Sequence, residues 1–265
     1  PTSVSTECDA IVEWDPDGPG PLAPVMIAAG AFSVAGRAEA SGVAAWNGAD
    51  WSAMGPGFGS LSADGLIVYA GAATACGGFL FGNSQTLYGV VRWDGANWQQ
   101  LGDGLEARAS CLAEYNGRLI AGGSFAPTEP LELHNIAQWD GAGWSPVGPT
   151  WALDGNVAAL VVHDGLLIAA GAFTVAGGEP VGHIAAWDGE QWAPLGPGIV
   201  GSPHALASVG GRLYVGGQLS FAGGQPVSNI AVWDGTQWSA VDGGVDHAVF
   251  ALREYGGSLV AAGAF

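Results

Sequence analysis

With 265 residues the chain is long enough for one large domain or two small ones. Its 46 glycines, set against only 11 % charged residues, suit many short strands and tight turns rather than helices. Six arginines, no lysine and 24 carboxylates give a formal charge of −18; this opposes binding to nucleic-acid phosphates or anionic membranes and keeps a glycine-rich β protein in solution.

The first stretch, AIVEWDPDGPGPLAPVMIAAGAF (Ala10 to Phe32), reads as two apolar strands joined by a long acidic turn around Asp15 to Pro24. A ten-residue connection, Ser33 to Gly42, leads to Trp46 and Trp51. The second stretch has Leu66 to Ala73, then a longer connection of sixteen residues, Thr74 to Gly89, before Trp93 and Trp98. The third and fourth, Cys111 to Phe125 and Val157 to Phe173, each carry a hairpin signal between apolar runs, Asn116-Gly117 and Asp164-Gly165. Ten-residue connections follow both, Ala126 to Asn135 and Thr174 to His183, before the pairs Trp139/Trp144 and Trp187/Trp192. The fifth has Leu213 to Leu219, Ser220 to Asn229, and Trp233/Trp238. A sixth copy of the second strand, LVAAGAF (Leu259 to Phe265), comes last.

The spacing turns this list into a repeat. The first tryptophans follow one another by 47, 46, 48 and 46 residues, and each has a second tryptophan five residues on. Gly30, Gly123, Gly171 and Gly217 each precede the first Trp by 16 residues, whereas Gly71 precedes Trp93 by 22, so the second repeat carries an insertion. With Gly189 and Glu190 as a two-residue loop, Asp188 faces Gln191 and Trp187 faces Trp192, so the five-residue spacing predicts a tight hairpin with both rings on one face. Four strands per unit, a to d, are what one blade of a β-propeller needs, and a blade buries both its faces only by stacking on neighbours. The expected fold is therefore an all-β propeller of four-stranded antiparallel blades forming a single domain. Its five complete blades fall at about 9–56, 57–102, 103–148, 149–196 and 197–242, with half of a sixth at 243–265. Closure of the ring is expected to need sequence beyond Phe265.

The strand order and glycine positions resemble the kelch repeat and the central domain of galactose oxidase, as found in secreted bacterial-type proteins. Gly122-Gly123 and Gly216-Gly217 match that family's glycine pair, and Ala29-Gly30, Ala170-Gly171 and Ala262-Gly263 keep its second glycine. The first aromatic is Trp where the family usually has Tyr. Trp-Asp propellers are excluded, because here the Trp-Asp dipeptide opens a hairpin and the Gly182-His183 pair lies almost adjacent to it. The resemblance implies architecture and an extracellular or cell-surface location; it carries no copper-ligand motif onto Tyr69, Tyr88, Tyr115, Tyr214 or Tyr255.

Catalytic motifs are absent: no GxSxG, no P-loop lysine, and no HxH or HxxxH among His134, His163, His183, His204 and His247. His134 and His183 precede the third strand of adjacent repeats, near the slot of Asn229, and are expected to bond loop carbonyls. Asp15 to Gly18 is faintly like a calcium loop, but Met26 stands where the twelfth-position glutamate belongs. No cofactor or metal is expected. Cys8, Cys76 and Cys111 allow one disulfide with a spare thiol or three thiols. The expected role is a non-catalytic extracellular binding or scaffold module for a glycan or protein partner, with neither nucleic-acid binding nor membrane insertion. The alternative is a secreted hydrolase or oxidase drawing on Asp154, Asp242, Asp246 and His247 in inter-blade loops. Ligand contacts are expected where the symmetry fails, at Phe79, Phe81 and Tyr88 of the long second connection and at Trp151 and Asp154 before the fourth repeat. The opposing expectation is that the Phe residues cap the core locally and Trp151 plugs a channel.

Overall fold

The computed structural model describes residues 7–59, 63–81, 85–105, 107–125, 133–149 and 152–265, and among these there is no helix. The chain divides into two compact units, Pro1–Leu112 with Trp139–Trp144, and Ala113–Gln138 with Ser145–Phe265. Every complete sheet is built on an antiparallel meander of four strands, and in the last of them the short strand Gln225–Pro226 adds a fifth. The first unit holds the sheet Glu7–Trp14, Val25–Ala31, Val43–Trp46, Trp51–Ala53 and the sheet Ala63–Tyr69, Ala72–Phe81, Gln85–Trp93, Trp98–Gln100. A third sheet, Ala109–Tyr115, Arg118–Gly123, Ile136–Trp139, Trp144–Pro146, contributes residues to both units. The second unit holds Val157–His163, Leu166–Gly171, Ile184–Trp187, Trp192–Pro194, then Ile199–Val209, Arg212–Ala222, Ile230–Trp233, Trp238–Ala240, and the final hairpin Val249–Tyr255, Ser258–Gly263.

The tryptophan hairpins form as the spacing predicts. Trp46, Trp93, Trp187 and Trp233 pair directly across the turn with Trp51, Trp98, Trp192 and Trp238. All five ring pairs touch, with centroids 5.3–5.5 Å apart. The first central glycine supplies the positive φ such a turn requires, +105° at Gly189. The preceding Asp is the cap: Asp188 Oδ1 accepts from the N–H groups of Glu190 and Gln191 at 2.7 and 2.8 Å, and Asp94, Asp140 and Asp234 repeat the arrangement. These bonds favour the ionised carboxyl. At Asp234 the Thr236 hydroxyl adds a third bond and, with the N–H groups of Gln237 and Thr236, lowers the pKa to about 2. The folded value lies below the unfolded one, so the contribution of this cap is complete above about pH 4 and disappears as the pH falls through about 2. Carboxyl-carbon NMR is expected to show a midpoint near 2 for Asp234 that rises in Thr236→Val; an unchanged midpoint in that variant would dismiss the hydroxyl as its cause.

Four of the five tryptophan pairs also tie their sheet to the preceding one. Within the second unit, the Nε1–H groups of Trp192 and Trp238 donate to the carbonyls of Val147 and Leu195 at 3.3 and 2.9 Å. Within the first, Trp144 does the same to Leu101 at 2.9 Å. The first ring of each pair lies on a glycine of the preceding sheet: Trp93 on Gly55 and Trp139 on Gly102, and in the second unit Trp187 on Gly148 and Trp233 on Gly196. A β-carbon at any of these four glycines would stand 2.5–3.1 Å from the ring. The paired tryptophans are thus engaged in stacking. Small apolar residues fill the rest of each core: Ile27, Ala29, Ala73 and Ala75 in the first unit, Ile168, Ala170, Leu213 and Val215 in the second.

The connections between second and third strands are more ordered than loops. Three of them fold into short hairpins, Val34–Ala35 with Ala38–Glu39, Val175–Ala176 with Glu179–Pro180, and Phe221–Ala222 with Gln225–Pro226. These lie against the fourth strand of their own sheet: a β-carbon on Gly36, Gly177 or Gly223 would stand 2.9–3.1 Å from Trp51, Trp192 or Trp238. The long second connection corrects the expectation of an irregular loop. Its strands continue in unbroken register from Thr74↔Arg92 to Phe81↔Gln85. Without a folded-back hairpin there, Phe58 covers the second tryptophan instead, with centroids 4.9 Å from Trp98 and 4.8 Å from Phe79.

The residue before the third strand also departs from expectation. Asn135, not His134, occupies the slot shared by His183 and Asn229, all three at φ between +58° and +63°. Asn135 and Asn229 accept through Oδ1 from the N–H of Phe125 and Leu219 and donate through Nδ2 to the carbonyls of Leu153 and Val245, stapling one sheet to the next segment within the second unit. His183 keeps only the main-chain bond, from Gly171 N–H to its carbonyl at 3.0 Å, and its Nδ1 is buried without a partner. His183→Asn, which tolerates the positive φ and brings both side-chain bonds, is therefore expected to stabilise the protein by about 1 kcal/mol, a rise in Tm of roughly 2–4 °C. A lower Tm would show that the imidazole contributes packing that the amide cannot replace.

Candidate binding surface

In each sheet whose register is fully defined, the first strand carries a β-bulge near its start. The extra residue is Asp9 and Asp64 in the first unit, and Ala158, His204 and Phe250 in the second. A bulge leaves one residue unpaired and re-aims its side chain, and bulges gather next to functional sites. Ser110 holds the matching second position of Ala109–Tyr115. In the second unit the bulge residues are apolar or aromatic, with His204 and Phe250 rings 6.0 Å apart.

In the first unit the same row is charged. Arg108, two residues before Ser110, grips Asp64 with both ends of its guanidinium: Nε to Oδ2 at 2.5 Å and the terminal nitrogen to Oδ1 at 2.6 Å. The Arg108 side chain is 53 % exposed and that of Asp64 only 21 %. The hydrogen bonds that Arg108 donates to Asp64 raise its pKa above the ordinary value, against partial desolvation, and the charges of Asp64 and Asp9 act in the same direction. Tyr88 belongs to the extended second hairpin, opposite Gly78, and is 47 % exposed. A solvent-facing guanidinium held rigid by a carboxylate, with an exposed phenol ring on a strand whose next residue, Gly89, packs against Ala107, can offer hydrogen bonds in fixed directions together with an aromatic face.

The other expected contacts divide. Phe79 is fully buried against Phe58, as a local cap requires. The side chain of Phe81 and all of Trp151 lie outside the described residues. Asp154 serves the backbone: its Oδ1 accepts from the N–H groups of Thr174 and Val175 at 2.7 and 2.8 Å, and its Oδ2 from the Thr174 hydroxyl at 2.9 Å. Desolvation raises the Asp154 pKa, but these bonds outweigh it and lower the value overall. The carboxylate is consumed in joining the connection before the fourth sheet to the hairpin of that sheet, which also puts those two segments on one face of the sheet.

Among the described residues no three of His, Cys, Asp and Glu gather as a metal site would require. Asp246 bonds its neighbour His247 at 3.1 Å, both exposed. His163 shares a hydrogen bond of 2.9 Å with Ser208 between first strands of successive sheets, where other repeats have Tyr69 or Tyr115 at the strand end. An apolar groove of about 290 Å³ on the first sheet, between Cys8, Ile11, Ala28, Phe32 and Trp51, lacks the convergent polar groups of a small-molecule site. Among the described residues no helix is long and apolar enough to cross a membrane.

No protein-family model matches the chain, and no curated protein matches it. Among solved structures it is similar to the crystal structure of the computationally designed Ika8 protein, with a TM-score of 0.57 and 15 % identity over 96 % of this chain and 67 % of that one. At that identity the likeness concerns the fold alone, and it agrees with an all-β chain of repeated four-stranded antiparallel sheets.

Proposed function

We propose that the chain is a kelch-like β-propeller segment of an extracellular or cell-surface protein and acts as a non-catalytic binding module, its ligand a glycan held at Tyr88 and Arg108. The supporting observation is the contrast between repeats. In the regular turns the paired tryptophans are engaged in stacking, and Asp94, Asp140, Asp188, Asp234 and Asp154 are engaged in capping. Where the second repeat departs from the others, the first unit exposes the Tyr88 phenol ring on a strand whose next residue, Gly89, packs against Ala107, next in sequence to the carboxylate-braced Arg108. A planar guanidinium reads vicinal hydroxyls or a sugar carboxylate, and a tyrosine face takes the apolar side of a pyranose.

The test is a glycan array run beside generic hydrolase and oxidase screens and a pull-down of extracellular proteins. Retention of a glycan that falls at least tenfold in both Tyr88→Ala and Arg108→Ala, with unchanged Tm in Tyr88→Ala, is the expected result. Turnover in either screen would overturn the non-catalytic reading. Retention that ignores both substitutions, or capture of a protein instead of a glycan, would remove the ligand from this site.

A further inference from the structure

Cys76 and Cys111 stand at matching depths of neighbouring sheets within the first unit. Cys76 lies in the second strand of its sheet, paired with Gly65, and is fully buried; Cys111 is the third residue of the strand Ala109–Tyr115. In the other first strands of seven residues that third position is Gly65, Ala159 or Ala251, and the cross-strand partners of Ala10, Ala159, Ala205 and Ala251 are Ala29, Ala170, Gly216 and Ala262. The repeat therefore demands small residues here, and both cysteines are enlargements. The compensation is Gly65, which drops the methyl that Ala10, Ala159, Ala205 and Ala251 keep. From the point where its β-carbon would stand, Cys76 Sγ is 3.0 Å away and Cys111 Cα 3.8 Å. The missing methyl leaves a gap that opens on one cysteine from each side.

We infer that Cys76 and Cys111 form a redox-active pair able to close a disulfide through the gap at Gly65, cross-linking two successive sheets. This assignment stands on geometry and on neither the propeller reading nor the proposed ligand. The pair stands as thiols in this structure. Burial raises the Cys76 thiol well above its ordinary pKa, and the charge of a Cys111 thiolate raises it further, so Cys111, the more accessible of the two, is the attacking group. The oxidant is a low-molecular-weight disulfide such as oxidised glutathione. The Cys111 thiolate attacks one of its sulfurs, releasing one glutathione thiolate and leaving a mixed disulfide on Cys111. Cys76 then loses its proton and attacks Cys111 Sγ, releasing the second glutathione. Two protein thiols are oxidised and one glutathione disulfide is reduced to two thiols. Cys8, exposed and bonded to the Ala10 carbonyl, takes no part.

The purified chain, equilibrated across a series of glutathione ratios, quenched with acid, unfolded and alkylated, reports the state of each thiol by mass. The expected result is loss of two alkylation sites under oxidising ratios, a Cys76–Cys111 linked peptide in the digest, and a Tm raised on the order of 5–10 °C over the reduced protein. Cys8→Ser should keep the link and the rise, and Cys111→Ser should lose both. Three alkylatable thiols at every ratio, or a linked peptide that contains Cys8, overturns the assignment. Gly65→Ala supplies a second measure: refilling the gap is expected to suppress the link by at least tenfold while all three cysteines remain, and an undiminished link in that variant would also overturn it.

Discussion

Trp187→Ala is expected to destabilise the protein by about 3–5 kcal/mol, seen as a lower denaturant midpoint with an unchanged slope. The ring has 7 % of its surface exposed, stacks on Trp192 with centroids 5.4 Å apart, and lies over Gly148 of the preceding sheet. Its removal leaves a cavity bounded by rigid backbone on one side and a second indole on the other, and neither can move to fill it. The main-chain bond from the Tyr115 hydroxyl to the Trp187 carbonyl survives the substitution, so the loss reports the ring. Trp187→Phe is expected to lose less than half as much. Ligand retention at Tyr88 should not change in either variant. A midpoint within experimental error of the parent would mean that the five tryptophan pairs decorate the sheets instead of holding them together.

That contrast explains why the fold was legible in the sequence and the candidate site was not. The WDGxxW register follows from one glycine with positive φ and a five-residue spacing, both visible as letters, and the Asp cap is local to the same turn. Counting four residues back from Trp139, Trp187 and Trp233 would have put Asn135, His183 and Asn229 in one slot; attention to His134 obscured it. The second connection is not an irregular loop, because its inserted residues Phe79–Phe81 and Gln85–Leu87 extend two strands that already pair below them, and length alone does not tell an insertion that extends strands from one that loops out. The bulges have no common residue type: Asp9, Asp64, Ala158, His204 and Phe250 share a backbone conformation set by the sheet, and no spacing within one strand announces it. Arg108 was invisible for the same reason, because its partner lies 44 residues away across two sheets.

Gly198→Ala is expected to cost far more than a methyl added at an uncrowded glycine of this chain, and a matched control separates its two causes. Gly198 has φ +76°, a conformation that costs a residue with a β-carbon about 1–3 kcal/mol. The added carbon would also stand 2.6 Å from Gly182 Cα and 2.7 Å from its oxygen, backbone against backbone, where no side chain can turn aside. That contact is the staple in which Ile199 N–H donates to the Gly182 carbonyl at 2.9 Å; Val245 to Ser228 repeats it in the second unit and Phe58 to Ser41 in the first. Gly57 and Gly244 meet Ser41 and Ser228 as closely, at 2.2 and 2.4 Å. Gly178 carries a comparable φ of +90° with nothing within 4 Å of its missing β-carbon, so Gly178→Ala measures conformational strain alone. The expected result is a loss of about 1 kcal/mol for Gly178→Ala and at least about 3 kcal/mol for Gly198→Ala, measured by equilibrium unfolding. The difference is the free energy of forcing two backbones apart at the junction of successive sheets. Equal losses in the two variants would show that the junction yields freely, and that the glycine is required there for its dihedral angle and not for the closeness of the contact.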